Sequence, residues 1–232
     1  WVTTFNRHAV VSENRCTRVP ASTDAEAAAL FGCAVTTGFG VVENNARLRM
    51  GEAVVVFGAG GIGLNIIQAA QLVSASPIIA VDRFDSRLGL ARQLGATHTI
   101  NGATGDAEGF IREALGGQPL DVFIDNTGVP AVIELGYRIT HGQGRVILVG
   151  VPRQGQNVSL HSLPLHFGKL LSGSQGGECQ PDRDIPRYLR LLERGRLQLD
   201  RFVSARFPLE KINDAMAAMR SGSTAGRVMI RL

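Results

Sequence analysis

From residue 53 onward, short β-branched runs alternate with stretches whose apolar residues recur at helical spacing. The runs are AVVVF (53–57), PIIAVD (77–82), THTI (97–100), DVFID (121–125), RVILVG (145–150) and KLLSGS (169–174). Between most of them lie GIGLNIIQAAQLV, SRLGLARQLG, AEGFIREALG and PAVIELGYRI. Strands alternating with helices of roughly 10–15 residues predict βαβ units and a parallel sheet. VVVF and VILVG lack a period of two, as strands do when helices cover both faces of a sheet. The expectation is an α/β fold built on a doubly wound parallel six-stranded sheet.

Punctuation residues support the helices. Asp85 with Ser86 stands where an N-cap belongs before RLGLARQLG, and Gly95 follows it as a C-cap. Late in the chain, PDRDIPRYLRLLERG reads as an amphipathic helix closed by Gly195, and PLEKINDAMAAMRSG as another closed by Gly222. Residues 1–29 and 200–232 continue neither this rhythm nor a second one. No internal repeat or low-complexity segment interrupts the chain.

Composition narrows the classes. The chain has 232 residues, 44% hydrophobic and 19% charged, which is ordinary globular usage. Apolar runs are broken by glycine or charge short of the roughly 18 residues a membrane span needs, so no membrane partner is expected. The net charge of +4 is scattered, without a basic block or interleaved aromatics, so no nucleic acid is expected either. Three widely spaced cysteines, Cys16, Cys33 and Cys179, form no disulfide framework and suggest a reducing cytoplasm. The five histidines show no metal-ligand spacing. GSQGGE offers no nucleophile elbow, which argues against acyl transfer. The chain opens at Trp1 rather than Met, and a processed or excised piece is expected.

One corner carries the first chemical signal. G-A-G-G-I-G brings Gly58, Gly60, Gly61 and Gly63 to the junction of a strand and a helix, with Asp82 about 20 residues further on. In a Rossmann sheet the first glycine makes the tight turn, the second lets backbone approach a pyrophosphate, and the third lets helix and strand pack closely. The helix start near Gly61 then points its free N–H groups at phosphate. Asp82 at a strand end can accept from both ribose hydroxyls and repel a 2′-phosphate, which favours NAD over NADP. Arg83 beside it can also meet a phosphate. A helix cap is the plainer reading of Asp82.

A second motif, FGCAVTTGFG (31–40), joins GAGGIGLN, VDRFDSRLGLARQLGATHTIN, GRVILVGVP and FPLEKINDAMAAMRSG. Together they resemble the zinc-dependent medium-chain alcohol dehydrogenases over nearly the whole chain. The resemblance implies Cys33 as a catalytic zinc ligand and Thr37 against the nicotinamide. It implies Gly58, Gly60, Gly61, Ile62 and Gly63 as the pyrophosphate turn, with Ile62 behind the nicotinamide. It implies Asp82 as ribose acceptor and Arg87 beside it. Gly128, Val149, Gly150 and Val151 match loops contacting adenosine and the carboxamide, and Arg227 a pyrophosphate-binding arginine. Plainer readings stand beside these: Cys33 as a small buried hydrophobe, Thr37 as helix packing, Arg87 and Arg227 as solvated charges.

The resemblance also implies an organisation. Residues 30–199 would form the NAD-binding domain, with 1–29 and 200–232 as remnants of a GroES-like catalytic domain. The rest of that domain, with the other zinc ligands and the structural-zinc lobe, has no counterpart in the sequence. A catalytic zinc takes three protein ligands, and only Cys33 is a candidate. The expected function is that of an NAD-binding portion of an oxidoreductase. Hydride would pass between an alcohol and NAD, with zinc in the complete enzyme, and this chain alone would be inactive. Two alternatives are a zinc-free NADPH quinone reductase-like enzyme and a non-catalytic NAD-binding module. A small alcohol or carbonyl substrate and a homodimer or higher homo-oligomer are expected, the latter because an edge strand near KLLSGS would otherwise be open.

Overall fold

The computed structural model describes residues 5–221 and 224–232. A helical run comes first: α1 (Ala25–Leu30), a π-helical turn (Phe31–Val35), α2 (Thr36–Gly40) and a second π-helical turn (Val41–Asn45). Asp24 caps α1 by accepting from the Ala27 N–H at 2.8 Å. By length and composition Ala25–Asn45 could cross a membrane, which corrects the expectation that every apolar run stops short of that length. Most of its apolar window is buried inside the protein, as in the core helix of a globular domain.

The chain divides into two compact units. One is Cys33–Cys179; the other joins Trp1–Gly32 to Gln180–Leu232, as far as these are described. The sequence reading drew its second boundary after residue 199, whereas the contacts group everything from Gln180 with the terminal segments.

The larger unit holds six parallel strands. They are β1 (Val54–Phe57), β2 (Ile78–Asp82), β3 (His98–Asn101), β4 (Leu120–Asp125), β5 (Thr140–Leu148) and β6 (Leu170–Gly173). Their spatial order is β3-β2-β1-β4-β5-β6, the doubly wound arrangement, with order reversing between β1 and β4. The crossover helices are α3 (Gly61–Leu72), α4 (Asp85–Gln93), α5 (Ala107–Leu115) and α6 (Pro130–Ile139). β1 and β2 are buried almost throughout, which explains why their sequences do not alternate. One face packs Val55, Ile79, Val81, Phe123 and Val146 against Ile111 and Leu115 of α5 and Tyr137 of α6. Burying each large side chain of this kind contributes roughly 1.5–3 kcal/mol.

Asp85 and Ser86 are not the N-cap of α4. Phe84 holds that position with no side-chain cap bond, and Asp85, inside the helix, accepts from Asn101 Nδ2 at 2.7 Å. β5 starts five residues before the expected run, at Thr140, because HGQG adopts extended backbone without β-branched side chains. Gly136 falls within the stretch PAVIELGYRI, and a Cβ there would sit 2.2 Å from the Phe123 ring. α6 rests directly on β4 at that point.

In the smaller unit, α7 (Pro181–Glu193) is closed by Gly195 at φ 65°. β7 (Val203–Pro208), α8 (Ile212–Ser221) and β8 (Arg227–Arg231) follow, and β7 pairs with β8 in parallel. This is a βαβ unit of its own, which corrects the reading that residues 200–232 carry no such rhythm. The signal was faint because VSARFP alternates half-buried with exposed positions instead of forming an apolar run. Gly222, expected to close α8, lies outside the described residues. Glu26 ties the unit together by accepting from Arg206 (2.6 and 2.9 Å) and Arg231 (2.9 Å).

Two outcomes follow from this packing. Gly136→Ala is expected to lower stability by about 1–3 kcal/mol through overpacking against Phe123, read as a lower urea midpoint at unchanged slope. Hydrogen bonds from Arg206 and then Arg231 hold the Glu26 carboxyl at about 2, below its ordinary 4.5. Its folded value is the depressed one, so its stabilisation is present above about pH 4.5 and is lost as pH falls toward 2. Surface screening keeps the amount small. Glu26→Gln is expected to flatten the pH dependence of thermal stability in that window, and an unchanged acid limb would contradict this assignment.

Candidate functional site

The carboxyl ends of β1, β2, β4 and β5 converge where the strand order reverses, the place at which open α/β sheets hold ligands. β1 ends at Phe57, and Gly58 follows at φ 97°, a conformation that strains any other residue. Its N–H donates to the Val81 carbonyl at 2.7 Å, tying the turn to β2. Gly60 is the N-cap of α3, with no side chain capping the helix. A Cβ on Gly60 would meet nothing within 4 Å, whereas one on Gly63 would lie 2.0 Å from the Gly58 carbonyl oxygen. The turn is therefore closed on the Gly63 side and open at Gly60. Gly61 and Ile62, half-buried, form the first turn of α3, where backbone N–H groups lack helical acceptors.

Asp82 ends β2 and is buried. Its Oδ2 accepts from the Ala59 N–H at 2.8 Å and its Oδ1 from the Phe84 N–H at 3.0 Å. The carboxylate thus spans the glycine turn and the loop after β2. A carboxylate has about four acceptor positions, so two stay available. Arg87 Nη1 lies 3.6 Å from Oδ2, and the guanidinium groups of Arg83 and Arg87 lie 4.8 and 4.6 Å from the Phe84 ring centroid. Arg83 is exposed; Arg87 is half-buried rather than a solvated surface charge, and its Nε has no hydrogen-bond partner.

A second aspartate, passed over in the sequence reading, organises the opposite wall. Asp125 ends β4 and is fully buried. Its Oδ1 accepts from the Thr127 N–H (2.9 Å) and hydroxyl (2.6 Å), and its Oδ2 from the Gly128 N–H (2.9 Å). Its carbonyl oxygen accepts from the N–H groups of Val149 (2.8 Å) and Gly150 (2.9 Å) beyond β5. Gly128, at φ 68°, would place a Cβ 2.5 Å from Val151 backbone, and a Cβ on Gly150 would lie 2.2 Å from Gly128 N. The two loops touch backbone to backbone, leaving Val151 exposed. Asn126 packs against Gly58 and Gly63, and its Nδ2 is buried without a partner. D-N-T-G after a strand is a turn signal that could have drawn attention to Asp125.

The FGCAVTTGFG segment runs through the helical stretch. Cys33, in the first π-helical turn, is exposed and free, which corrects the reading of it as a buried hydrophobe. Thr37 is buried in α2. Gly38 and Gly40 have packing reasons: a Cβ on Gly38 would lie 2.5 Å from Asn65 Cβ of α3, and one on Gly40 would lie 2.3 Å from the Gly177 carbonyl oxygen. Those contacts seat α2 beside α3. Arg227 belongs to the smaller unit, in β8, where its N–H donates to the Phe202 carbonyl at 2.6 Å. It is not among the residues that the sheet unit brings together.

The donor sets can be tested against the groups the sequence implied. A dinucleotide fits: the open face at Gly60, the uncapped α3 start, the unpartnered Asn126 amide and the spare acceptors of Asp82 line one cradle. A zinc ion does not fit the chain alone. Among the described residues no three His, Cys, Asp or Glu side chains gather as a metal site.

Comparison with known proteins agrees with this architecture. Residues 61–194, more than half of the chain, match the family described as zinc-binding dehydrogenase. The S-(hydroxymethyl)glutathione dehydrogenase of Haemophilus influenzae is 34% identical over 234 residues, covering 97% of this chain and 60% of the relative. The Escherichia coli protein of the same name is 34% identical over 236 residues, covering 98% and 62%. Among solved structures, an alcohol dehydrogenase zinc-binding domain protein from Burkholderia ambifaria superposes with a TM-score of 0.86 at 37% identity, over 93% of this chain and 58% of its own. Benzyl alcohol dehydrogenase from Acinetobacter calcoaceticus does so with 0.84 at 33%, over 90% and 57%. The chain spans about 60% of the length of the curated relatives it matches. With the doubly wound sheet and the glycine cradle, these matches show that the chain belongs to the zinc-binding dehydrogenase family.

Proposed function

We propose that the sheet unit binds a nicotinamide adenine dinucleotide, NAD in preference to NADP, as the cofactor-holding part of an oxidoreductase acting on alcohols and carbonyls. One observation carries this: the glycine turn is sterically shut at Gly63, open at Gly60, and fastened to β2 through the buried Asp82. When bound, NAD supplies the hydride acceptor. The chain's own part is binding and orientation. The first turn of α3, from Gly61 through Gly63, offers N–H groups and the positive helix end to the pyrophosphate. Asp82 keeps two acceptor positions for ribose hydroxyls and presents a negative charge to a 2′-phosphate. Arg83 and Arg87 flank Phe84 at the adenosine end. Gly128, Val149, Gly150 and Val151 form the opposite wall, and Thr37 and Ile62 are assigned to the nicotinamide side.

Cys33 is proposed as one zinc ligand of a zinc-complete enzyme, its exposed thiol four residues before Thr37. Three protein ligands are needed for a catalytic zinc, so no step through zinc is derived for this chain. Its three cysteines, none of them in a disulfide among the described residues, support a reducing compartment, the cytoplasm. Oligomerisation is proposed through β6, an edge strand with Phe167, Leu163 and Leu170 exposed beside it.

Calorimetric titration with NADH and NADPH tests the reading. Saturable binding that favours NADH by about tenfold or more is expected. A preference for NADPH would overturn the role given to Asp82. Gly60→Val is expected to keep the urea midpoint, because its side chain meets open space, and to weaken NADH binding about tenfold or more. Gly63→Ala is expected to lower both, since its Cβ collides with the Gly58 carbonyl. Alcohol oxidation by this chain alone is expected to be absent with or without added zinc, and zinc-dependent turnover would refute the incomplete-site assignment. Light scattering of Phe167→Asp is expected to report a smaller species than the parent chain.

A further inference from the structure

Of the 24 lysines and arginines in this chain, only Lys169 and Lys211 are lysines. Lys169 directly precedes β6 and is buried. Its ammonium donates to the Thr140 carbonyl at 2.6 Å, and Nζ lies 4.5 Å from the centroid of the Tyr137 ring. Thr140 is the C-cap of α6, so this contact meets the partial negative end of a helix. A fraction of a charge opposes a whole one. No carboxylate pairs with Lys169 among the described residues, and burial alone pushes its pKa below the ordinary lysine value. A cation drawn out of water without a counter-charge is costly.

Beside it is a cavity of about 320 Å³, lined by Lys169, Glu134, Tyr137, Arg138, Ser159 and His161 among others. Its lining shares no residue with the dinucleotide cradle. The neighbouring polar groups are partly engaged. Glu134 Oε1 accepts from the Ser159 N–H at 2.8 Å, and the Tyr137 hydroxyl donates to the His161 carbonyl at 2.9 Å. Arg138 is paired with Glu108 at 2.7 Å, which leaves further guanidinium donors. Glu134 and Lys169 both bring charge to the lining, and Lys169 is the buried cation there with no carboxylate bonded to it among the described residues. We infer that this cavity binds a small oxyanion, a carboxylate or a phosphate, held by Lys169 with Arg138 at its rim. The volume is at the lower end of small-molecule sites. It suits an anion of a few heavy atoms and excludes a dinucleotide.

A lysine that only caps α6 would leave the cavity indifferent to anions, so the two roles separate experimentally. With two lysines, protein labelled with ¹³C-lysine gives one side-chain signal for each. Charged or titratable groups facing Lys169 are Glu134, Tyr137 and Arg138 on α6 and His161 on the segment after β5. Anion binding is therefore measured at one fixed pH near 8, so that these groups stay in one state throughout the titration. Saturating acetate or inorganic phosphate is expected to move the Lys169 titration midpoint up by about one unit or more, leaving Lys211 in place. The anion that does so identifies the ligand class. Lys169→Met is expected to lose about tenfold or more in affinity for that anion, while Lys169→Arg and Lys211→Met retain it. No shift at Lys169 with either anion, or equal shifts at both lysines, would overturn the assignment. The wild-type spectrum decides the matter even where Lys169→Met fails to fold.

Discussion

At the end of β1 two stretches of backbone approach so closely that no side chain fits between them. Gly63 faces the Gly58 carbonyl at a distance that excludes a Cβ, and that contact fixes the direction in which α3 leaves the sheet. The rest of the site depends on this angle. It leaves the face at Gly60 free, aims the helix start at it, and brings Ala59 to the carboxylate of Asp82. Each of these follows from the tightness of the turn.

Two buried aspartates make the corner rigid. Asp82 joins the turn after β1 to the loop after β2, and Asp125 joins the loop after β4 to that after β5. Both sit at strand ends, where the ladder stops and backbone N–H groups need acceptors. A carboxylate meeting two or three such donors is satisfied without a cation. Asp125 spends its acceptors on the scaffold, while Asp82 keeps part of its capacity for a ligand. The same residue type thus holds scaffold on one side of the crevice and keeps acceptor capacity free on the other.

The reading of FGCAVTTGFG illustrates how function and packing overlap in one motif. Its glycines are required by the close approach of α2 to α3 and to the loop at Gly177. Cys33 and Thr37, the two residues proposed to carry chemistry, differ in burial: the thiol is exposed and the hydroxyl residue is enclosed. An exposed thiol in a π-helical turn is where a group from elsewhere can reach it, and π-helical turns recur at functional sites.

The sheet, its six strands and the glycine turn were legible in the order of residues, because apolar runs and glycine spacing are local properties of the chain. So was the place of Asp82, by its distance from the turn. Asp125 was not legible, since an aspartate at a strand end means little until five donors from two loops are seen to converge on it. Nor was the β7–α8–β8 unit, whose half-buried strands lack an apolar run. Gly136 is one helical glycine among others until Phe123 of β4 lies against it, and Lys169 is one cation among many until folding buries it. Periodicity and turn chemistry act between neighbours in sequence and can be read there. Close approach, desolvation and shared acceptors act between neighbours in space, and they exist only once the chain has folded.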